Sequence, residues 1–555
     1  MGARFLRSSN HRERILDAAA LVVIVALSAF PYVGQLGFYS DDWSLLAAFE
    51  AAARSGQSVI AATLPDYGVR PVQGIYLALL YEAFGFRPLG YHLVNTAVIA
   101  ASVALLYLLL VRLRLTRAEA FASALLFALM PQLSTVRVWF AAFQIPLSML
   151  LALAAMHALL SFERSSRRRL PALATAAAAT SLSIAAYEIF APMIAGFALA
   201  LLVLRLRGRG GIDLRRAVAP MAVIVVVIAG VALKFLTERS DELADAQSYW
   251  HRIRVFVAPH YDWRVGYGLN AFAALDVHFW RPIRDWAWTL VRLVAGEPGP
   301  VVIAVALASG ALAWWRTRSS RQVEPTEGRW RLLLIGLAAF VLGHATFLVA
   351  NSIMFAPTGI ANRVLVSGAV GAAMILAAAL FVAARKVPPR LRSTVLASSL
   401  ALVSVLAVVR SMQVERYWAD APRLQDQLLE AAQRDLAHVP AGSTVIIDGV
   451  CPYHGPAIVF ETYWGTSGAL SLALDRPVTA DVVSQRMKLT ATGLETEIYG
   501  EVDHYRFGPT LFVYSPRQHR VVRLDTAKTA RAYFSRPSRQ PMRCPVGYVG
   551  QGVLV

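Results

Sequence analysis

The chain has 555 residues, 57% hydrophobic and 16% charged, with a net charge of +19. Soluble globular chains are nearer 45–50% apolar and about 25% charged, so this composition excludes an ordinary soluble domain and points to a polytopic membrane protein. The positive charge is almost all arginine: only Lys234, Lys386, Lys488 and Lys528 are lysines, a bias that fits a GC-rich bacterial genome. The arginines cluster in short loops between apolar runs, which is the pattern of a membrane protein and argues against a nucleic-acid partner.

In chain order, apolar runs of about 17–25 residues mark membrane-spanning helices. Eleven are expected, over 16–37, 91–111, 118–134, 138–160, 170–186, 188–206, 216–237, 299–315, 332–352, 364–384 and 393–411. Basic clusters occupy alternate loops, among them Arg4 to Arg14, Arg112 to Arg117, Arg164 to Arg169, Arg205 to Arg216, Arg316 to Arg331 and Arg385 to Arg392. The positive-inside rule makes that side cytoplasmic, with the N-terminus inside and the C-terminus outside. The first run is long and lacks a small-residue cleavage site, so it reads as an uncleaved anchor. The expected location is the inner, or plasma, membrane of a bacterium.

Directly after the first span comes GFYSDDWSLLAAFE, which places Asp41 and Asp42 at the outer surface. Ser40 is a suitable N-cap, acids favour a first helical turn, and Gly56 could end the helix. A helix N-terminus also favours an ionised carboxylate, so helix stabilisation and a general base are compatible readings. The rest of this loop, GVRPVQGIYLALLYEAFGFRPLGYHLVN, carries two arginine-proline dipeptides around an amphipathic stretch at 72–85 suited to an interfacial helix. It brings Arg70, Arg87, Tyr91, His92 and Asn95 to the headgroup level.

Further polar groups stand at outward span ends: Gln132 and Arg137 in MPQLSTVRVWF, Glu188 in AAYEIF, and Asn362 and Arg363 in GIANRVLV. Ionisable groups at that depth are functional candidates, although each arginine alone could serve only to anchor lipid phosphate. The outer loop at 238–298, rich in Trp, Tyr, His and Arg, is either an interfacial belt or a sugar platform. Its Asp262, Asp276 and Asp285 stand at no metal-binding spacing. The tail beyond 412 changes character, with strand-like STVIID, AIVFETYW and TLFVYS after a helical stretch at 420–437, and reads as a small α/β domain. Both cysteines, Cys451 and Cys544, lie in it and could form a disulfide or remain buried thiols. The fold class is therefore all-α polytopic with a small periplasmic or extracellular C-terminal α/β domain.

The order of these features resembles the GT-C superfamily of integral-membrane glycosyltransferases, which includes protein O-mannosyltransferases and aminoarabinose transferases. The likeness lies in the aspartate pair after span one, the RP…YLALLYEAFGFRPLGYHLVN loop and the later PQLSTVRVW turn; AAYEIF keeps a glutamate but lacks the lysine expected before it. The resemblance covers roughly 15–240 and implies a catalytic module over 1–240, variable helices over 241–411 and an exported domain over 412–555. It implies transfer of a sugar from a polyprenyl-phosphate donor to an envelope glycan, lipid or protein on the outer face, with inversion. By its place in the motif Asp41 is the expected base, with Asp42 orienting it, contacting the acceptor or taking the role of base instead. Arg70, Arg87, His92, Arg137 and Arg363 become phosphate candidates, and Tyr91, Asn95, Gln132 and Glu188 line the substrate. No cofactor is assigned; oligosaccharyltransferases resembling this superfamily use a divalent metal, and single-sugar transferases often do not. The competing readings are a flippase of lipid-linked sugars and a non-catalytic envelope-assembly protein.

Overall fold

The computed structural model describes residues 2–164, 169–206, 214–237, 272–319, 329–348, 355–484, 486–498, 501–536 and 544. Its helices are α1 Gly2–Ala29, α2 Asp41–Arg54, α3 Val59–Thr63, α4 Pro71–Phe84, α5 Pro88–Arg112, α6 Arg117–Ala128, α7 Ser134–Val138, α8 Gln144–Arg164, α9 Arg169–Ala186, α10 Ala191–Leu206 and α11 Leu214–Thr237. After the described part of the second large loop follow α12 Arg281–Val294, α13 Pro300–Arg318, α14 Arg329–Ala345, α15 Val366–Ala384 and α16 Pro389–Asp435, then α17 Tyr463–Leu474 and α18 Ala527–Phe534.

Among the described residues, seven helical segments are long and apolar enough to cross a membrane, or eight when the bent pair at α6 and α7 counts as one. The chain is thus a multi-pass membrane protein. Helices α1, α9 and α14 occupy the remaining expected intervals but are too short or too polar to count by the same measure, so eleven is not reached. Both arginine-proline dipeptides begin helices, with Pro71 and Pro88 at the first helical position, where a missing N–H costs nothing. Thr116 and Glu119 form a reciprocal capping box that starts α6. That helix breaks before Pro131 at a bend of 52°, and the break frees carbonyls that a low-dielectric core must satisfy.

Helix α16 is 47 residues long and runs without interruption from the apolar bundle into the C-terminal domain; residue 412, where that domain is expected to begin, lies inside it. Pro422 sits within the helix and has no N–H to give the carbonyl of Trp418, four residues back. The hydroxyl of Tyr39 supplies the missing donor, 2.6 Å from that carbonyl oxygen. Trp418 is fully buried, and the Tyr39 ring meets its indole edge-on at 4.8 Å.

The C-terminal domain has a four-stranded sheet of β1 Thr444–Ile447, β4 Thr479–Val482, β8 Leu511–Ser515 and β9 Arg520–Arg523 in the order β4-β1-β8-β9. Strand β1 is parallel to both neighbours, with Thr444 level with Thr479 on one side and Leu511 on the other. Helix α17 is the crossover from β1 to β4. Strands β5 Lys488–Leu489, β6 Gly493–Ile498 and β7 Glu501–Arg506 form an antiparallel sheet, and β2 Tyr453–His454 pairs with β3 Ala457–Ile458. The run AIVFETYW is strand only at Ala457–Ile458, because the Thr462 side chain caps the amide of Gly465 and starts α17. Cys451 and Cys544 are joined by a disulfide.

Candidate functional site

The segment 37–42 is held from several directions before any question of chemistry arises. The Tyr39 hydroxyl accepts from the Gly37 amide at 3.0 Å, and His92 Nε2 lies 3.1 Å from the Gly37 carbonyl, which fixes Nε2 as the protonated nitrogen. Trp139 Nε1 donates to the Tyr39 carbonyl at 3.0 Å. Ser40 has φ 48° and ψ −117°, an uncommon backbone for a serine, and its side chain does not cap α2. The expected serine N-cap is therefore replaced: Asp42 Oδ2 turns back to accept from the Tyr39 amide at 2.8 Å.

The two carboxylates live in different places. Asp42 is buried, and its other oxygen accepts from the Ala141 amide at 2.7 Å, tying the first loop to the entrance of α8. Burial pushes its carboxyl well above the ordinary carboxylate range, against the pull of the Tyr39 and Ala141 amides. Asp41 is partly exposed. Its Oδ1 accepts from Trp464 Nε1 at 2.6 Å and lies 3.3 Å from Ser40 Oγ, while Oδ2 has no hydrogen-bond partner among the described residues. Trp464 belongs to α17 of the C-terminal domain, so a residue from the far end of the chain completes the surroundings of Asp41.

Glycines make this approach geometrically feasible. A Cβ on Gly465 would stand 2.5 Å from the Ser40 carbonyl oxygen, and one on Gly468 would stand 2.5 Å from that of Trp43. Helix α17 thus lies backbone to backbone against the start of α2, with an ion pair between Arg54 and Asp475 at the other end. This contact carried no local sequence signal beyond the GTSG spacing.

A second cluster forms where α4 begins. Arg70 grips Glu188 with two hydrogen bonds, at 2.7 and 3.2 Å, and Lys234 Nζ meets the same carboxylate at 2.7 Å. Arg70 also stacks over Tyr187 at 4.4 Å. Tyr67 links the two clusters: burial raises its phenol first, and the charges of Asp41 and Arg70 both act on it. Lys234, which stands at a span end in the sequence, enters this cluster only through the fold.

The other sequence candidates divide between bracing and surface. Arg137 is buried: it caps the Ala128 carbonyl freed by the helix break, donates to Ser28 Oγ at 2.8 Å and faces Glu415 at 3.6 Å. Asn95 donates to the Val136 carbonyl at 2.7 Å, and Gln132 to that of Val277 at 2.8 Å. Tyr91 is buried in an aromatic cluster with Phe38 and Phe140, and its hydroxyl donates to the Gly85 carbonyl at 2.6 Å. Asn362 accepts from the Thr135 amide at 3.3 Å. Arg87 is exposed at the start of α5. Arg363 is partly exposed and lies 4.9 Å over the Trp139 ring, the same indole that holds Tyr39.

In the loop at 238–298, residues 238–271 and with them Asp262 lie outside the described residues. Asp276 pairs with Arg281 at 2.5 Å and Asp285 with Arg410 at 3.2 Å. Trp280, Trp288 and Val294 on and beside α12 are exposed, as an interfacial helix requires. Asp42 spends both oxygens on backbone amides, and among the described residues no group of three or more His, Cys, Asp or Glu converges.

No protein-family model matches the chain, and no curated protein matches it. Among solved structures it is similar to the oligosaccharyltransferase of Archaeoglobus fulgidus in complex with Zn and sulfate, at 15% identity and a TM-score of 0.42, covering 84% of this chain and 62% of that one. The archaeal oligosaccharyltransferase AglB from the same organism, in complex with an inhibitory peptide and a dolichol-phosphate, is similar at 15% identity and a TM-score of 0.39, covering 84% and 64%. The chain therefore spans somewhat under two thirds of the archaeal enzyme's length. ArnT from Cupriavidus metallidurans bound to undecaprenyl phosphate is similar at 14% identity and a TM-score of 0.38, covering 85% and 86%. In its first-loop motifs the chain resembles the GT-C superfamily of membrane glycosyltransferases, and its structural neighbours include an oligosaccharyltransferase.

Proposed function

We propose that this chain is a membrane glycosyltransferase that moves a sugar from a polyprenyl phosphate to an acceptor hydroxyl on the outer face, with Asp41 as general base. The observation that carries the reading is the unlike pair: Asp42 is consumed by backbone amides, while Asp41 keeps a free oxygen at a partly exposed position among the described residues. Asp41 takes the acceptor's proton as the hydroxyl oxygen attacks the anomeric carbon. The bond from that carbon to the phosphate oxygen breaks, its electron pair leaves with the polyprenyl phosphate, and a single displacement inverts the centre. A phosphate leaving group is weakly basic, so one carboxylate suffices and no protein acid is needed.

The charge that develops on phosphate calls for fixed cations, preferably arginine. Arg70 with Lys234, and Arg363 on Trp139, are assigned that role; His92 and Arg137, engaged with backbone, are assigned to holding segment 37–42 and the helix break. No step is routed through a metal. The acceptor class is an envelope glycan, lipid or protein, and the domain carrying Trp464 faces it.

The test is an incubation of the protein in lipid with a panel of polyprenyl-phosphate monosaccharides and an envelope extract, following loss of lipid-linked donor. Donor consumption by the native chain, abolished in Asp41→Asn, supports the reading. A panel in which no donor is bound or consumed contradicts it.

A further inference from the structure

The sheet of the C-terminal domain contains a crevice that the transfer reaction does not use. From β1 the chain leaves through α17 to pair with β4 on one side, whereas β8 pairs on the other. Such a reversal of strand order parts the loops beyond the carboxyl ends of adjacent strands, where open α/β sheets bind ligands. Here the loop after β1 turns away at Gly449, with φ 84°, and the loop after β8 turns away at Pro516. A cavity of about 550 Å³ lies between them and the end of α16. Its size falls within the roughly 300–1,000 Å³ of small-ligand clefts.

The lining divides by chemistry. Leu428, Val450 and Val459 give an apolar floor, and Tyr453 adds an aromatic face. Arg434, His454, Arg517 and His519 stand around it with Glu430 the sole acid of the lining. His519 is held by Asp435, its Nδ1 2.9 Å from the carboxylate. Arg434 and Arg517 are exposed and make no hydrogen bond or ion pair among the described residues. Exposed arginines around an apolar and aromatic floor suit a ring with an apolar face and an anionic group.

We infer that this crevice binds an anionic saccharide, a sugar unit bearing a carboxylate or phosphate. That the ligand is a saccharide rests on the transferase reading, for which it would be part of the acceptor; that the crevice takes an anion does not.

Calorimetric titration of the full chain in zwitterionic lipid discs, without donor, tests it with galacturonate, glucose 6-phosphate, glucose and inorganic phosphate. The two anionic sugars are expected to bind saturably and glucose not to bind. Arg434→Ala and Arg517→Ala should each weaken binding about tenfold, the loss expected for one charge-assisted hydrogen bond. Lys528→Ala, on α18 away from the crevice, should change nothing. Asp41→Asn must bind like the native chain, which separates this test from that of the transfer reaction. Equal binding of glucose, absence of saturable binding, or affinities unmoved by both arginine variants would overturn the site. Inorganic phosphate binding as tightly as glucose 6-phosphate, or displacement of the sugars by anionic lipid in the disc, would overturn the saccharide assignment.

Discussion

Trp464 Nε1 and Asp41 Oδ1 lie 2.6 Å apart although 423 residues separate them in the chain. The indole has one donor and uses it on the carboxylate proposed as base, and on that proposal the C-terminal domain orients it directly. Trp464→Phe keeps a ring in place and removes only the N–H. Turnover should fall about tenfold, the effect of losing one hydrogen bond to a charged group, with the KM for donor and the melting temperature little changed. A kcat equal to that of the native chain would remove Trp464 from the site.

Docking of α17 depends on missing side chains. Gly465→Ala places a Cβ 2.5 Å from a backbone oxygen that cannot swing aside. The helix must then withdraw from Ser40, taking Trp464 with it. Turnover should drop at least as far as in Trp464→Phe, and amide exchange at the start of α2 should accelerate. Unchanged exchange there would mean the two backbones are not in contact.

Tyr39 and Pro422 form a pair whose coupling can be measured. Tyr39→Phe leaves the buried Trp418 carbonyl without a donor, a loss of about 1–3 kcal/mol. Pro422→Ala restores the helical N–H to that carbonyl. In the double variant the carbonyl has its own donor, so the combined destabilisation should be smaller than the sum of the single effects. Strict additivity in a thermal double-mutant cycle would show that the Tyr39 hydroxyl does not serve that carbonyl.

The bundle was legible in the sequence because apolar length is a strong signal, and every interval expected to span carries helix. The arginine-proline dipeptides were legible as motif but not as structure; they are helix starts, with proline where no donor is needed. The unlike surroundings of Asp41 and Asp42 were not legible, because both suit a first helical turn and the contacts that separate them come from Ala141, 99 residues away, and Trp464, 423 residues away. Arg137 and Asn95 read as substrate groups because polar residues at span ends do either job. The break in α6 that makes Arg137 a brace is a tertiary fact. Trp464 was hidden within a strand-like run that Thr462 converts into a helix.

A pH effect belongs to the C-terminal domain. Burial raises the Asp481 carboxyl from 3.8 to about 6, against the amide of Val482 and the hydroxyl of Tyr505. The folded state therefore binds more protons than the unfolded one between these values. The contribution of this group to stability is fully present below about 4 and is lost as pH rises through about 6, by up to about 3 kcal/mol for two pKa units. Amide exchange in β1 and β4 should accelerate over that interval, and Asp481→Asn should flatten the dependence. Exchange that slows as pH rises, after correction for the intrinsic rate, would reverse the sign and refute the assignment.

The division of labour between the adjacent aspartates is tested most directly by measuring thermal unfolding and donor turnover together in Asp41→Asn and Asp42→Asn. Asp41→Asn should melt like the native chain, still bind donor and lose turnover. Asp42→Asn sets an amide donor against a backbone N–H and should lower the melting temperature, a cost of about 1–3 kcal/mol. Turnover retained in Asp41→Asn, or an Asp42→Asn chain of native stability that has lost only its chemistry, would contradict the account and pass the role of base to Asp42.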